Sequence, residues 1–211
     1  MKRLNTILAL GCIAVLSFTS CLKDDNDNEN TGLSKSQRAQ CFAIVRGEYS
    51  GKLIYPAQNT QSDNSDTIDI NWSVGADTML VLKSIPAKVV AEQIQNVDLK
   101  AALLEQNPVA NINCYLGFAA VDPDVEFYIA PIKIQYPVFY KDETHTLNVY
   151  FWANSVYSIG YKVSTSGIME GRILMASAYL DSDESKNYIS STFTGLENIP
   201  MIFSNVPVVK Q

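Results

Sequence analysis

A strict alternation of polar and apolar residues in the segment 67–74 is the strongest constraint on the fold. The segment reads TIDINWSV, and each of its even-numbered residues is apolar. Successive side chains of a β-strand point to opposite faces, so this pattern predicts a strand with one face in a core and the other in solvent. Gly75-Ala76 and the apolar segment 77–85 follow, which predicts a hairpin.

Further strand-like segments fill most of the remaining chain. Before the hairpin lies GEYSGKLIYP, and after it come segments rich in Val, Ile, Tyr and Phe. The predicted strands are residues 47–56, 111–121, 125–140, 144–153, 155–164, 167–180 and 199–209. Pro131 and Pro137 predict an edge or bulged strand. The class expected is α+β, mainly antiparallel β, as a sandwich or a partly closed barrel.

Helices are predicted in two places. Ser34 is a good N-cap for a helix that ends before Gly47. A helical insertion near 86–106 has two parts, the first opened by Ser84 and Pro86 and the second capped by Asp98.

The first 20 residues have the features of a secretory signal peptide. Lys2 and Arg3 precede an apolar run over 7–16, which is too short for the roughly 20 residues of a membrane-spanning helix. The next residues, Phe18-Thr19-Ser20-Cys21, resemble the lipobox of bacterial lipoproteins. That resemblance implies cleavage before Cys21 and its modification with diacylglycerol and palmitate. The alternative is a secreted protein in which Cys21 lies near the cut by chance.

The segment 21–33 is polar and acidic, so we expect a flexible tether. Its residues Lys23, Asp24, Asp25 and Asp27 resemble the surface-export signal of Bacteroidota lipoproteins. The resemblance implies an outer-membrane protein that faces the cell exterior. A plain solvated linker is the alternative, and a calcium site in so unstructured a segment is a weaker one.

Charge and composition narrow the classes of partner. The chain has 22 acidic and 16 basic residues, a net charge of −6, and 47% of its residues are hydrophobic. A negative protein does not suit nucleic acid, whose affinity comes largely from Lys and Arg on phosphates. The remaining partners are the membrane, through the lipid, and a glycan or protein ligand. The apolar content suffices for one globular domain over 34–211.

Two stretches near the start of the predicted domain resemble a known family. GEYSGKLIY, a polar loop and then DTIDINWSVGADTMLVLKSIPAKVVAEQI resemble an uncharacterised family of Bacteroidota surface lipoproteins. The resemblance implies a surface lipoprotein of unknown function, and it assigns no residue a role.

No catalytic, metal or cofactor motif stands out. The single histidine, His145, has no nucleophile motif beside it and suits an ordinary surface position. Cys41 and Cys114 are the cysteines left after the signal peptide and Cys21. Both fall on apolar faces, so a disulfide and two buried free thiols are equally compatible with the pattern.

Acidic turns offer paired carboxylates, the groups that a glycoside hydrolase needs. One turn holds Asp122, Asp124 and Glu126, and another holds Asp181, Asp183 and Glu184. Solvated turn residues are the ordinary interpretation. The second turn also resembles the start of a calcium loop, but Lys186 stands where an EF-hand needs glycine.

Aromatic residues give the last candidate site. Asn148, Tyr150 and Trp152 share one face of a predicted strand, and Tyr157 and Tyr161 share one face of the next. Flat rings with polar neighbours suit the C–H faces of sugars, so these five residues form a candidate ligand platform. The alternative is a strand buried on both sides. The function expected is a non-catalytic binding module for a glycan, peptide or host ligand, and the alternatives are an adhesion or assembly component and a hydrolase.

Overall fold

The structure, a computed structural model, describes residues 32–57, 64–181, 183–189 and 199–206. The helices in this part are α1 (Lys35–Val45), α2 (Lys88–Ala91) and α3 (Val97–Gln106). The strands are β1 (Gly47–Pro56), β2 (Ser65–Val74), β3 (Met79–Pro86), β4 (Val109–Ala120), β5 (Val125–Pro131), β6 (Ile134–Tyr140), β7 (Glu143–Phe151), β8 (Ile159–Lys162), β9 (Met169–Ile173), β10 (Met175–Leu180) and β11 (Met201–Ser204).

Eight of these strands close into a barrel, in the order β1-β11-β9-β8-β5-β4-β3-β2. The other three form a separate sheet in the order β10-β7-β6. Every neighbouring pair in both sheets is antiparallel. The mainly antiparallel β class is therefore confirmed, and of the two predicted architectures the barrel is the one formed, fully closed.

Two glycines allow large aromatic rings inside the barrel. Phe127, Gly160, Gly171 and Phe203 are direct cross-strand partners in one row across β5, β8, β9 and β11. A Cβ atom on Gly160 would lie 2.4 Å from the Phe127 ring, and one on Gly171 would lie 2.3 Å from the Phe203 ring. The missing side chains thus leave the volume that the two rings fill.

The two ends of the barrel are covered differently. Helix α1 leads directly into β1, and the Tyr49 hydroxyl donates to the Val45 carbonyl at 2.6 Å. At the other end, the three-stranded sheet contacts the barrel and the helical insertion. There the Tyr136 hydroxyl donates to the Ile85 carbonyl at 3.1 Å, and the Tyr140 hydroxyl lies 3.2 Å from Asn96 Oδ1.

The N-terminal helix forms as its sequence predicts. The Ser34 side chain accepts from the Gln37 amide, and the Gln37 side chain accepts from the Ser34 amide, which completes a capping box. Cys41 and Val45 are fully buried on the inner face. None of the helices among the described residues is both long and apolar enough to cross a membrane.

The helical insertion is confirmed as a whole but differs in its caps. Pro86 ends β3 instead of opening a helix, and Ser84 lies in β3 with a positive φ of 54°. The first helix, α2, has only four residues. Asn96, not Asp98, caps α3, because the Asn96 side chain accepts from the Leu99 amide at 2.9 Å.

Three of the predicted strands are longer than the strands observed in the structure. The segment 125–140 is divided into β5 and β6, and 167–180 into β9 and β10, with the halves in different sheets. The segment 155–164 contributes only β8, because its first residues form a turn. Pro131 ends β5, while Pro137 lies in β6 at the edge of the three-stranded sheet, as its lost N–H donor predicts.

Candidate functional site

A groove with a volume of about 490 Å³ lies on the outer wall of the barrel. It runs over β5, β8 and β9 and reaches β11. Side chains that line it include Glu126, Tyr128, Ile159, Tyr161, Glu170 and Arg172. The volume lies within the range of about 300–1,000 Å³ that is typical of small-molecule sites.

The barrel register brings these groove residues together. Tyr161 on β8 pairs directly with Glu126 on β5 and with Glu170 on β9. The next outward-facing row is Tyr128, Ile159 and Arg172. Directly opposed residues have Cβ atoms about 4.5–5.5 Å apart, so each row is a line of touching side chains. The alternation that buries Phe127 thus turns both of its neighbours outward.

Burial and hydrogen bonds affect the pKa of Tyr161 and the position of Arg172 in the groove. Partial burial raises the pKa of Tyr161, and the charge and hydrogen bond of the neighbouring Glu170 carboxylate raise it further. Arg172 Nη2 donates to the Val156 carbonyl at 2.9 Å, which holds the guanidinium against the loop that ends the groove. The site therefore offers a neutral phenol ring flanked by hydrogen-bond acceptors.

The loop 152–158 forms one end of the groove, and its residue Ser155 lines the groove there. Asn154 Oδ1 accepts from the amides of Val156 and Tyr157 at 3.0 and 2.9 Å. The Ser158 hydroxyl donates to the Trp152 carbonyl. These local bonds give the loop a defined shape, and they leave Trp152 49% exposed.

The predicted aromatic platform is divided between two surfaces. Tyr161 lies in the barrel groove, while Tyr150 lies on the three-stranded sheet in an edge-to-face contact with Tyr179. Tyr157 precedes β8 in a turn, so it does not share a strand face with Tyr161. The five residues do not form one surface, because β7 belongs to the three-stranded sheet and β8 to the barrel, and because Tyr157 lies in the turn before β8.

Asn148 is buried and hydrogen-bonded within the small sheet, so it does not lie at the edge of a ligand site as predicted. It is 4% exposed, its Nδ2 donates to the Asp181 carbonyl at 2.6 Å, and its Oδ1 accepts from Gln135 Nε2 at 2.8 Å. These bonds join β7 to β6 and to the turn that follows β10. Nδ2 also donates to the Thr146 carbonyl at 3.2 Å, so both N–H donors of the amide are used within the protein.

His145 and Asp181 form a pair at the end of the three-stranded sheet. His145 Nδ1 lies 2.8 Å from Asp181 Oδ2, and this hydrogen bond raises the pKa of His145. The same bond, with the amide of Thr146, lowers the pKa of Asp181. Asp183 also has a lowered pKa, because the side chain and amide of Ser185 hydrogen-bond to it. Low carboxyl pKa values suit ion pairing and turn capping, the ordinary roles of such residues.

The two cysteines are free, buried thiols, so the disulfide alternative is not formed. Cys41 Sγ lies 3.5 Å from the carbonyl of Ala120, at the end of β4. Cys114 lies in the same strand, but the residues between it and Ala120 each span about 3.3 Å. Helix α1 therefore covers the wrong end of β4 for a bond to Cys114.

The lipidation and export residues Cys21, Lys23, Asp24, Asp25 and Asp27 lie outside the described residues. Within the described ranges, no three His, Cys, Asp or Glu residues cluster in a way that could hold a metal ion.

Glu170, Arg172 and Tyr128 were not among the predicted site residues. The sequence does contain a pattern that could have found them, because each occupies an outward position in a strand with alternating burial. What the sequence lacked was the register that aligns β5, β8 and β9.

A family model for a domain of unknown function, DUF4840, matches residues 44–180, which is more than half of the chain. The chain belongs to the DUF4840 family. No curated protein and no solved structure matches it. The DUF4840 match includes every barrel strand except β11, which closes the barrel between β1 and β9. It also includes the groove walls on β5, β8 and β9.

Proposed function

We propose that this DUF4840 protein is a non-catalytic binding module that holds a glycan in the barrel-wall groove. One observation carries the proposal: Tyr161 lies between Glu126 and Glu170 on the groove floor, as a direct cross-strand neighbour of both. A phenol ring provides an apolar face for sugar C–H groups. Carboxylates beside the ring accept hydrogen bonds from sugar hydroxyls.

The shape of the site favours a glycan over an extended peptide. Peptides that add to a sheet pair with an unpaired strand edge. The groove lies on the face of a closed barrel, whose strands all have two neighbours. A ligand there must bind through side chains, as sugars do.

The blocked edge of β6 also argues against an assembly role through strand pairing. Gln106 Nε2 donates to the Phe139 carbonyl at 2.9 Å, and Gln106 Oε1 accepts from the Phe139 amide at 2.8 Å. Pro137 removes a further donor from the same strand. Both features weaken β6 as a template for a partner strand.

Hydrolysis by the acidic turn at 181–184 has little chemical support. A general acid of a glycosidase needs a raised pKa so that it remains protonated near neutral pH. The pKa values of Asp181 and Asp183 are instead lowered. Binding without catalysis is the better account of these carboxylates.

We further propose that the module is a lipoprotein at the outer face of the outer membrane, anchored through lipid on Cys21 and carried on the acidic tether. The lipobox-like residues before Cys21 and the acidic residues after it support this location. Intact mass of the purified membrane form tests the anchor. A mature protein that begins elsewhere and carries no lipid would refute it.

The export signal has a separate test on whole cells. Replacing Asp24, Asp25 and Asp27 with Ala should leave lipidation intact and remove the protein from the reach of external protease. If accessibility is unchanged, the surface-export role of the tether is wrong.

A glycan array tests the binding function. The purified wild-type protein should bind at least one glycan class, and Tyr161→Ala should lose most of that binding. Tyr115→Ala is the matched control, because Tyr115 is 59% exposed on the barrel but does not line the groove. Absence of binding to any glycan, or equal loss in both variants, would contradict the proposal.

A further inference from the structure

The charge of the groove distinguishes between kinds of glycan. Three carboxylates line it, from Asp124, Glu126 and Glu170, and one cation does, from Arg172. The ion pairs within the described ranges are Lys52–Asp69, Lys83–Glu48, Lys100–Glu92 and His145–Asp181. None of them includes a groove carboxylate, so within the described ranges these three carboxylates have no ion-pair partner, although Asp124 accepts from the Ser164 amide and Glu170 is hydrogen-bonded to Tyr161.

Arg172 lines the same groove, but in the described part of the chain it forms no ion pair with a groove carboxylate. Its Nη2 is held by the Val156 carbonyl at the loop end. It belongs to the row of Tyr128 and Ile159, while Glu126 and Glu170 belong to the row of Tyr161. The acidic row thus has a tyrosine at its centre and no cation within it.

From this arrangement we infer that the groove selects a glycan that carries a free amine, such as a glucosamine unit. The inference rests on the proposed glycan-binding function and names its ligand class. The aromatic and apolar lining, from Tyr128, Tyr161, Ile159 and Ile202, provides a surface for the sugar rings. The negative charge of the lining carboxylates favours a ligand with a positive charge. An ammonium group over Tyr161 gains a cation–π contact. The same group is within reach of the two flanking carboxylates as hydrogen-bond acceptors.

Two oligosaccharides of the same length, one with free amines and one with the amines acetylated, test the preference for a positive charge. Glucosamine oligomers carry free amines, and the N-acetylated oligomers of the same length are neutral. Titration calorimetry at low salt should show about tenfold tighter binding of the amine form to the wild-type protein, and the difference should shrink as salt screens the charges. Comparable or tighter binding of the neutral form would overturn the amine preference and leave glycan binding standing.

Variants that remove one carboxylate each test whether the preference for the amine form comes from Glu126 and Glu170. Glu126→Gln and Glu170→Gln keep the side-chain shape, and each should weaken binding of the amine oligomer about two- to fivefold. Neither should change binding of the neutral oligomer by a similar factor. Glu105→Gln, on the exposed surface of α3, is the matched control and should change neither.

The remaining outcomes separate the two proposals. An equal loss in Glu105→Gln would mean that the net negative charge of the protein attracts the oligomer, which would overturn a groove-specific preference. If other glycans on the array bind and neither glucosamine form does, the amine inference is wrong while the binding function holds. If no glycan of any class binds, the proposed function itself fails.

Discussion

At the scale of single residues, Gly160 limits what the barrel can hold. A Cβ atom at this position would lie 2.4 Å from the Phe127 ring and 2.7 Å from the Glu170 carbonyl oxygen. The backbone atom cannot move aside without disturbing the pairing of β8 with β9. The close approach of ring and backbone therefore requires glycine here.

We expect Gly160→Ala to lower the free energy of unfolding by about 1–3 kcal/mol, the usual cost of overpacking a core. Chemical denaturation measures it. Gly32→Ala is the control, because a Cβ there meets nothing within 4 Å. If the two variants are equally stable, the interior has more free space than the structure contains.

The two tryptophans of the chain should respond differently to truncation. Trp72 is fully buried, stacks on Tyr49 at a centroid distance of 5.6 Å and meets Phe203 edge-on at 5.4 Å. Trp72→Ala should cost about 3–5 kcal/mol. Trp152 is 49% exposed, so Trp152→Ala should cost less than about half as much. Thermal melts of both variants check this, and a larger loss in Trp152→Ala would reverse the assignment of core and surface.

His145 should make stability depend on pH in a defined direction. Its pKa is raised by the hydrogen bond to Asp181, so the contribution is fully present below the unfolded pKa of about 6.5 and is lost as pH rises through the folded pKa. The contribution of Asp181, whose pKa is lowered, is present above about 3.9 and is lost as pH falls through its folded pKa.

The stability advantage of the wild type over His145→Gln should therefore be largest between about pH 4 and 6.5 and should shrink at higher pH. Unfolding curves at pH 5.5 and pH 8.5 measure the difference. Because His145 is the only histidine in the chain, its NMR titration is unambiguous. A titration midpoint at or below the unfolded value would show that the pair does not form in solution.

At the scale of elements, β6 is an edge strand whose exposed side is closed by a single side chain. The amide of Gln106 on α3 binds both backbone groups of Phe139, as the next strand of a sheet would. Pro137 protects the same edge through the absence of its N–H. The helical insertion thus both covers the barrel end and limits edge pairing.

Removing this cover should promote self-association. Gln106→Ala combined with Pro137→Val restores a free donor and uncovers the Phe139 backbone, so we expect dimers or aggregates by light scattering after gel filtration. Glu105→Ala, at the neighbouring helix position, should remain as the wild type. A fully monomeric double variant would mean that another feature protects the edge.

At the scale of the whole molecule, local signals were sufficient for some elements and not for others. The bounds of β1 and the capping of α1 follow from residues within each segment, and both are observed as predicted. The breaks within 125–140 and 167–180 are different, because both halves of each segment are equally rich in strand-forming residues. Pro131 marks the end of β5, but nothing within either segment shows that its second half belongs to another sheet.

The groove was unpredictable for the same reason. Glu126 and Glu170 are far apart in sequence, and β8 brings them together through its pairing with β5 and β9. An alternating pattern can indicate which residues of a strand face outward, but it does not show which strands are neighbours. The predicted platform therefore combined Tyr150 of the smaller sheet and Trp152 of the loop that follows it with Tyr161 of the barrel.

Footprinting of the tyrosines by hydroxyl radicals, read by mass spectrometry, shows directly whether a glycan occupies the barrel-wall groove. The protein is labelled with and without the glycan that binds most tightly on the array. Tyr161 and Tyr128 should lose reactivity when the glycan is present, while Tyr115 on β4, which does not line the groove, and Tyr150 on the three-stranded sheet should not. Protection of Tyr150 with Tyr161 unchanged would show that the glycan binds at the three-stranded sheet, and it would contradict binding in the barrel-wall groove.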